Sequence, residues 1–522
     1  MDTSQLTTLD LTVIGAYGLL VIAIAVYTAR RTHSGDDLFL AGRRLTWFPI
    51  GLSLFASNIS STTLIGLAGA AYSWGLAVSN YEWMAAPILV LMALVFVPLY
   101  LRARIGTVPE YLERRFDRRA RRYVSALTLF ANIVVDTAGT LFAGALVLTT
   151  FVPGLDMFGA ALILAGLAAA YTAAGGLAAV VYTDVLQGII LLIGAMLVTW
   201  FSFERIDFDW SAVTTAMPPE QLSLFLPLDD PNLPWLGTLV GVPVLGFYFW
   251  CTNQFIVQRV LGARSIADAR FGVLLAGLLK LPVLYIMVLP GVIAALILPP
   301  LESGDQVFPA LIAEVLPAGL SGLILAALGA ALMSSIDSTL NSAAALLTLD
   351  FIKPVRPGLS PRAIAWIGRA AIGLFMLLAA AIAPLIGNFE GLFHYLQTAL
   401  SYLVPPVAAV FLLGAFSRRA GPFSALATLV GGHALSALLF GLWLGGILTL
   451  HFTLVAGLLF AVSVLIFMLS AWLHPATDPP STESLWRWSM TRPETVVRMW
   501  RDYRLHALLL ILLTIAIVLS FV

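Results

Sequence analysis

Ionisable side chains lie inside several long apolar stretches of this chain, where a charge needs a partner. Among them are the carboxylates of Glu82, Asp136 and Asp184 and the ammonium group of Lys280. A charge in such surroundings costs free energy unless it meets an opposite charge, a polar cavity or a bound solute. Lys280 therefore predicts a carboxylate or a polar solute beside it, and the sequence offers Glu82 and Asp136 as the carboxylate.

Two of these acids also have simpler explanations. Glu82 lies between Tyr81 and Trp83, a setting typical of the aromatic belt at a membrane surface. Asp184 lies near the start of its apolar run, where an acid favours a helix N-terminus and is hydrated. Asp136 lies near the centre of its run and has no such explanation, so a functional role is the default for it.

A second group of small and polar residues recurs at helical spacing near residue 335. Their intervals place them on one face of a helix; the positions are Ala331, Ser334, Ser335, Ser338, Asn341 and Ser342. Asp337 lies at the edge of this face. Hydroxyls in a row with a carboxylate are hard oxygen ligands, which suit a small cation such as sodium. A helix-packing seam of serines is the alternative, but it does not need the acid. His394 and Gln397, one turn apart in a later apolar run, add two hydrogen-bonding side chains.

Residues 45–74 form an apolar stretch that is long enough to span a bilayer, yet its middle reads SNISSTT. Polar groups at the centre of a lipid-facing helix are costly without partners. An interrupted helix here would expose carbonyls and helix ends that hold a cation or a polar solute at mid-membrane. The alternative is a polar seam that packs against neighbouring helices.

The composition requires membrane elements around these residues. The chain is 60% hydrophobic and only 11% charged, against about 25% charged in soluble domains, so it is predicted to be a polytopic membrane protein. Cys251, the only cysteine, excludes an intrachain disulfide and a cysteine-based metal cluster.

Apolar runs of about 20 residues predict an all-α protein with fourteen membrane-spanning helices. They lie near 9–29, 45–74, 80–101, 123–151, 156–174, 178–203, 235–261, 271–298, 319–350, 363–386, 391–415, 421–445, 449–473 and 504–522.

The basic residues are distributed unevenly among the connections between these runs. Nearly all Arg and Lys fall in every second connection, namely 30–44, 102–122, 259–270, 352–362, 416–419 and 474–504. By the positive-inside rule these connections are cytoplasmic. The sequence therefore predicts a multi-pass protein of the cell (inner) membrane with both termini on the extracellular or periplasmic side.

A second interruption indicates an internal repeat. Five spans after the first one, the run 235–261 contains GVPVLGFYFWCTNQ, with Gly241, Pro243 and Gly246 inside apolar sequence. Because five is odd, a second unit would begin from the opposite membrane face, which gives inverted repeats. The predicted division is a first helix and loop at 1–44, a first five-helix repeat at 45–203, an extracellular loop at 204–234, a second repeat at 235–415 and three peripheral helices at 416–522.

Several long motifs carry a resemblance to a known family. They are LAGRRLTWFPIGLSLFASNIS, GLAVSNYEWM, GTVPEYLERRF, YTAAGGLAAVVYTDVLQ, NQFIVQRVLGARS, LLKLPVLYIMVLPG, LMSSIDSTLNSAAALLTLD and LVPPVAAVFLLGAF. With them the chain resembles the sodium/solute symporter family, within it the sodium/glucose cotransporter group, and most closely the bacterial sodium/galactose symporters. The resemblance implies two inverted five-helix repeats of the leucine-transporter kind, with discontinuous first and sixth core helices.

The resemblance also implies ion ligands. In the common sodium site of the family, carbonyls of the broken helix join hydroxyls of the eighth core helix, at positions that correspond here to Ala56, Ile59, Ala331, Ser334 and Ser335. Some members carry a second sodium site, which corresponds here to Asp184, Ser334, Asp337 and Ser338. The carboxylate of Asp337 replaces a hydroxyl, so two carboxylates would share one small volume there, with a cation or a proton between them.

The solute ligands of the family carry over unevenly. Five match, namely Tyr81, Glu82, Trp250, Lys280 and Gln397. Thr63 stands where a longer amide or imidazole is usual, and Ala85, Gly246 and Phe249 replace a hydroxyl, an asparagine and an aromatic hydroxyl. A carboxylate, an ammonium and an amide still provide the donors and acceptors that a polyol needs. The departures leave the particular substrate open.

The sequence thus predicts a symporter that couples its cofactor, sodium, to import of a neutral sugar or polyol such as glucose, galactose or inositol by alternating access. The expected partners are the solute, sodium and the lipid bilayer, with no nucleic acid. The alternative is a symporter of the same fold for a monocarboxylate, a sialic acid or an amino acid. A carboxylate solute would call for an unpaired Arg or Lys, whereas Asp136 adds an acid. A membrane enzyme would show a metal or nucleophile constellation, and the six histidines lack HExxH-type spacing.

Overall fold

The structure, a computed structural model, describes residues 7–29, 40–59, 61–152, 154–172, 177–389, 391–477, 484–492 and 498–521. Within these ranges the chain is helical, and its extended pairing is limited to two isolated bridges, Leu45 with Ala263 and Leu226 with Pro234. Ser60, from the hydroxyl-rich interruption, lies outside the described residues, as do the side chains of Ser61, Thr62 and Asn341.

The α-helices before residue 220 are α1 Thr8–Ala29, α2 Trp47–Asn58, α3 Ser61–Trp74, α4 Asn80–Trp83, α5 Ala85–Leu91, α6 Val97–Arg102, α7 Val108–Arg115, α8 Arg118–Ala131, α9 Ala138–Phe151, α10 Met157–Thr172, α11 Leu177–Glu204 and α12 Trp210–Ala216. Those after it are α13 Trp235–Val240, α14 Val242–Phe247, α15 Gln254–Leu261, α16 Ile266–Lys280, α17 Leu289–Ile297, α18 Val307–Val315, α19 Leu320–Leu346, α20 Lys353–Val355, α21 Pro361–Ile382, α22 Leu392–Leu403, α23 Pro405–Phe416, α24 Pro422–Leu444, α25 Phe452–Leu473 and α26 Tyr503–Leu519.

The wider turns of π-helix join several of these helices into longer rods. Such stretches occur at Met92–Phe96, Asn132–Thr137, Tyr248–Thr252, Leu284–Val288 and Leu347–Ile352. Among the described residues, eight rods are long and apolar enough to cross a membrane, and three bent helix pairs bring the number to eleven. Three shorter apolar helices, Thr8–Leu20, Met157–Gly166 and Tyr503–Leu519, lie at predicted spans. The protein is therefore a multi-pass membrane protein.

The first of the bent pairs falls at the hydroxyl-rich stretch. Helix α2 ends at Asn58, and Ile59 leaves helical geometry with φ −84° and ψ 64°. The two halves of the span meet at 52°. The interruption lies at the stretch that the sequence predicted. Because the helix ends there, backbone carbonyls that a continuous helix would hydrogen-bond are left without helical partners.

The second interruption lies nearer the end of its stretch than Gly241 and Pro243 suggest. The rod Trp235–Thr252 continues through both residues, since Pro243 lies in the first turn of α14, where a missing N–H costs little. The break falls instead at Asn253, which is extended with φ −70° and ψ 124°. Its side chain accepts a hydrogen bond from the Phe255 N–H, 3.3 Å long, and so caps α15.

Helices α2 and α16 pack closely because glycines face each other where they cross. A Cβ atom at Gly51 would lie 2.7 Å from Leu275 Cδ2 and 2.9 Å from the Gly272 carbonyl oxygen. One at Gly272 would lie 2.6 Å from Ile50 Cγ2. Small residues at such a crossing let two backbones approach within the membrane. This contact holds Lys280, the last residue of α16, against the interrupted helix.

Candidate functional site

A polar cavity of about 140 Å³ lies between the two interrupted rods, helices α4, α9, α19 and α22 and the π-helical stretch Asn132–Thr137. Its walls combine hydroxyl, amide and carboxylate groups with aromatic rings. The polar lining residues are Ser57, Asn58, Thr63, Tyr81, Glu82, Asp136, Thr140, Asn253, Ser335, Thr339 and Gln397. The apolar ones are Val242, Leu245, Gly246, Phe249, Trp250, Phe255, Phe393, Leu396 and Leu400. The structure thus gathers Thr63, Tyr81, Glu82, Trp250 and Gln397, five of the predicted solute ligands, around one space.

The sixth predicted ligand, Lys280, lies behind this wall rather than in it. Its ammonium group donates a hydrogen bond to Glu82 Oε2 in a buried ion pair. Of the two carboxylates that the sequence offered as its partner, the structure selects Glu82. Lys280 lies at the end of α16, just before Pro282, where the span bends by 45°. The pair neutralises both charges and leaves the remaining acceptor capacity of Glu82 toward the cavity.

Aromatic rings flank the ion pair. The Trp250 ring centroid lies 5.6 Å from Lys280 Nζ, within the range of a cation–π contact. Trp250 also packs edge to face against Phe249, with 5.1 Å between ring centroids. Across the cavity, Tyr81 and Phe393 form a second edge-to-face pair at 4.9 Å. These rings give the cavity two apolar walls, and Phe393 is a lining residue that the sequence analysis missed.

Thr63 and Gln397 approach the cavity from different helices. The Thr63 hydroxyl donates its hydrogen to the Asn58 carbonyl across the helix interruption, so only its acceptor lone pairs face the cavity. Gln397 lies on α22 and is half-buried in the cavity wall. An amide has both donor and acceptor atoms, so Gln397 can bind a solute hydroxyl in either sense.

The residues of the predicted sodium site lie where α19 meets both halves of the interrupted helix. Ala56, Ile59, Ala331 and Ser334 are buried, and Ser335 is half-buried and lines the cavity. Helix α19 therefore lies beside the interruption, with Ser335 at the cavity wall. Carbonyl and hydroxyl oxygens are ligands for a hard cation.

Asp184 is buried in the protein core, so the idea that it is a hydrated acid at a helix start is wrong. It is the eighth residue of α11, and only 2% of its surface is exposed. Its carboxylate accepts hydrogen bonds from the hydroxyls of Ser53 at 2.6 Å and Ser57 at 3.3 Å. The Ser334 hydroxyl donates to its other oxygen. The acid is therefore tied to α2 and α19 at once.

Arg259 supplies a positive charge beside the Asp184 carboxylate. The Arg259 Nη2 atom lies 3.0 Å from Asp184 Oδ2 and donates to the Ser338 hydroxyl at 3.3 Å. The sequence analysis assigned Arg259 to a cytoplasmic connection because it follows an apolar run, but only 1% of its surface is exposed. The predicted second cation site therefore already holds a guanidinium group near Asp184, Ser334 and Ser338. Asp337, on α19 with Ser334 and Ser338, is also buried.

Asp136 lines the cavity from the π-helical stretch Asn132–Thr137 between α8 and α9. This π-helical stretch interrupts the α-helical register between α8 and α9 at the position of Asp136. The Thr140 hydroxyl bonds to the Asp136 backbone carbonyl, 2.7 Å away, and not to its side chain. π-helical turns within long helices are frequent at functional sites.

A polar cavity between interrupted membrane helices is typical of secondary transporters. Residues 38–432 match the model of the sodium:solute symporter family. This chain belongs to the sodium:solute symporter family, which consists of transporters and not enzymes.

The relatives agree with this membership. The sodium/glucose cotransporter 1 of Mus musculus is 34% identical over 537 residues, which covers 92% of this chain and 80% of that protein. The sodium/myo-inositol cotransporter 2 of Homo sapiens is 35% identical and covers 81% of this chain and 68% of that protein. A substrate-bound, outward-open Na⁺-coupled sialic acid symporter matches 91% of this chain and 99% of its own, with a TM-score of 0.78 and 22% identity. That likeness shows a shared fold.

Proposed function

We propose that this protein is a sodium-coupled symporter that imports a sugar or a polyol by alternating access. The observation that carries the proposal is the Glu82–Lys280 ion pair at the wall of a cavity that also presents Gln397 and the Trp250 ring. Carboxylate oxygens accept from solute hydroxyls, the amide donates and accepts, and the ring covers a C–H face. The relatives named for glucose and myo-inositol support this substrate class.

An anionic solute fits this cavity less well. Among the described residues, those that line the cavity include the acids Glu82 and Asp136 but no Arg or Lys. A carboxylate solute would meet these acids without a free cation to bind it. The cavity therefore supports a sugar or polyol over a monocarboxylate or a sialic acid.

Sodium is proposed to bind at the helix interruption, to the carbonyl oxygens of Ala56, Ile59 and Ala331 and the hydroxyls of Ser334 and Ser335. Because Ser335 also lines the cavity, an ion there would stabilise the wall that contacts the solute. Coupling requires that the ion bind the outward-open, solute-competent state better than the other states.

Asp184, Ser334, Asp337 and Ser338 are proposed as a second cation site. In the conformation described here the guanidinium group of Arg259 supplies the positive charge beside Asp184. A sodium ion would bind to these oxygens in a conformation in which the guanidinium group has moved away.

The membrane arrangement is proposed from the sequence pattern. Fourteen spans, two inverted repeats at 45–203 and 235–415, and location in the cell (inner) membrane with both termini outside are consistent with the basic connections. The eleven spans and three shorter apolar helices of the described residues support this arrangement.

Uptake into proteoliposomes tests the function. Purified full-length protein is reconstituted, and uptake of labelled glucose, galactose, myo-inositol, lactate, sialic acid and alanine is measured with an inward gradient of sodium or of potassium. We expect sodium-dependent uptake of at least one sugar or polyol and none of lactate or sialic acid. Sodium-dependent uptake confined to lactate, sialic acid or alanine would overturn the proposed substrate class, and uptake independent of sodium would overturn the coupling.

A further inference from the structure

The cavity contains one carboxyl group, that of Asp136, to which the described side chains offer no partner. Glu82 is neutralised by Lys280, and Asp184, outside the cavity, by Arg259. Among the side chains that the structure describes, none donates a hydrogen bond to the Asp136 carboxylate or forms an ion pair with it. A charge of this kind costs free energy within a membrane unless a mobile partner compensates it.

The groups around Asp136 do not form a metal site. The Thr140 hydroxyl bonds to a backbone carbonyl, and so does the Tyr395 hydroxyl, 2.5 Å from the Val134 oxygen. The Thr339 hydroxyl is shared between Thr137 and its own helix, both at 3.0 Å. Asp136 is a single carboxylate, and the described residues contain no cluster of three or more His, Cys, Asp or Glu side chains that could hold a metal ion.

The rest of the cavity wall suits an ammonium group. The aromatic pairs Phe249–Trp250 and Tyr81–Phe393 line the same space as Asp136. Ring faces attract cations, and they do so more strongly where water is excluded. A carboxylate together with aromatic rings is a combination that binds an organic ammonium, while Gln397 and Glu82 remain available for hydroxyls.

We propose that Asp136 binds a protonated amine on the solute, so that the preferred substrates are amino sugars or aminopolyols. This inference rests on the proposed function and narrows it, because the sequence analysis alone expected a neutral solute. The amine would carry into the cavity the positive charge that the protein omits, and the polyol part would bind to the groups already described.

The first experiment uses the unmodified protein. Glucosamine and galactosamine are compared with glucose, galactose and N-acetylglucosamine as labelled substrates and competitors in proteoliposomes with a sodium gradient. N-acetylglucosamine retains the nitrogen but has no positive charge, so it is the matched control ligand. We expect the amines to have at least a tenfold lower KM than glucose and N-acetylglucosamine.

The second experiment uses variants. Asp136→Asn should raise the KM for glucosamine at least tenfold and change that for glucose by less than threefold, and Asp136→Glu should retain part of the preference. Asp229→Asn, which removes an exposed carboxylate elsewhere, is the control. If Asp136→Asn does not fold, the comparison of ligands on the unmodified protein decides.

Each outcome has a distinct meaning. Sodium-driven uptake of glucose with no advantage for the amines overturns the role of Asp136 and leaves the proposed function standing. A pH dependence of glucose uptake that disappears in Asp136→Asn shows that the acid holds a proton instead, which also overturns the inference. If neither sugars nor amino sugars are taken up with sodium, the proposed function and this inference fall together.

Discussion

The guanidinium group of Arg259 and the carboxylate of Asp184 form an ion pair with 3.0 Å between Nη2 and Oδ2, although 75 residues separate them in the chain. Neither group is open to solvent. Removing one partner of such a pair leaves the other charge buried, at a cost of about 3–5 kcal/mol. Any sodium ion that binds to Asp184 must therefore compete with the guanidinium group.

Arg259→Gln tests this competition. The variant should have a lower unfolding temperature than the unmodified protein at low sodium, since Asp184 loses its partner. Added sodium should restore part of the difference, so that the unfolding temperature of the variant rises more steeply with sodium than that of the unmodified protein. Arg259→Lys, which keeps the charge, is the control. An equal sodium dependence in all three proteins would show that Asp184 does not bind sodium.

Ser335→Ala tests the proposed sodium site at the helix interruption. Loss of one oxygen ligand should cost about 1–3 kcal/mol, which corresponds to a roughly 5- to 150-fold rise in the sodium concentration for half-maximal uptake. Ser321→Ala, near the other end of the same helix, should leave that concentration unchanged. An unaltered sodium dependence in Ser335→Ala would mean that the ion binds elsewhere.

Gln397→Ala tests the solute cavity. The amide lines the cavity but is not among the proposed sodium ligands, so the KM for the solute should rise about tenfold, as expected for the loss of one or two hydrogen bonds. Sodium binding without solute, measured by isothermal titration, should stay the same. Gln221→Ala in the 204–234 loop provides the comparison. Equal losses of sodium and solute affinity would instead indicate a structural role for Gln397.

Asp305→Asn tests whether the side-chain cap of α22, outside the membrane spans, makes the stability of the protein depend on pH. Asp305 Oδ2 accepts a hydrogen bond from the Leu392 N–H, 2.8 Å long, at the start of the helix that carries Gln397. Burial raises the pKa of Asp305 to about 6, although this bond opposes the rise. The folded protein therefore holds this proton more tightly than the unfolded chain, whose pKa is near 3.9.

The sign of the effect follows from that difference. The contribution of Asp305 to stability should fall by about 3 kcal/mol as the pH rises from about 4 to about 6, and stay constant above that range. Asp305→Asn keeps an acceptor for Leu392 and should remove this part of the pH dependence of the unfolding temperature in detergent. Asp229→Asn should retain it. The assignment is wrong if both variants keep the same pH profile as the unmodified protein.

Much of the fold could be predicted because it depends on local composition. The apolar runs mark the spans, and the hydroxyls of SNISSTT mark the first interruption, since both features are properties of contiguous sequence. The position of Lys280 far inside an apolar run was enough to predict a buried partner, and Glu82 was one of the two acids proposed for that role. These inferences need only the cost of polar groups in an apolar medium.

Other features depend on packing between distant segments, and the sequence could not supply them. Arg259 lies at the end of an apolar run and resembles a loop residue until Asp184 and Ser338 surround it. The break at Asn253, rather than at Gly241 or Pro243, follows from the side-chain cap on α15. The isolation of the Asp136 carboxylate depends on neighbouring hydroxyls that bond elsewhere, which no spacing reveals.

The bridge between Leu45 and Ala263 joins the chain just before α2 to the chain just after α15. Leu45 donates to the Gly262 carbonyl at 3.1 Å and accepts from the Arg264 N–H at 2.8 Å, and the Trp47 N–H donates to Asp268 at 3.3 Å. Together with the glycine crossing of α2 and α16, these bonds fasten the half-helices Trp47–Asn58 and Gln254–Leu261 to one another. We therefore expect these two half-helices to move together during transport, with the change of angle concentrated at Ile59 and Asn253, where the helices are interrupted.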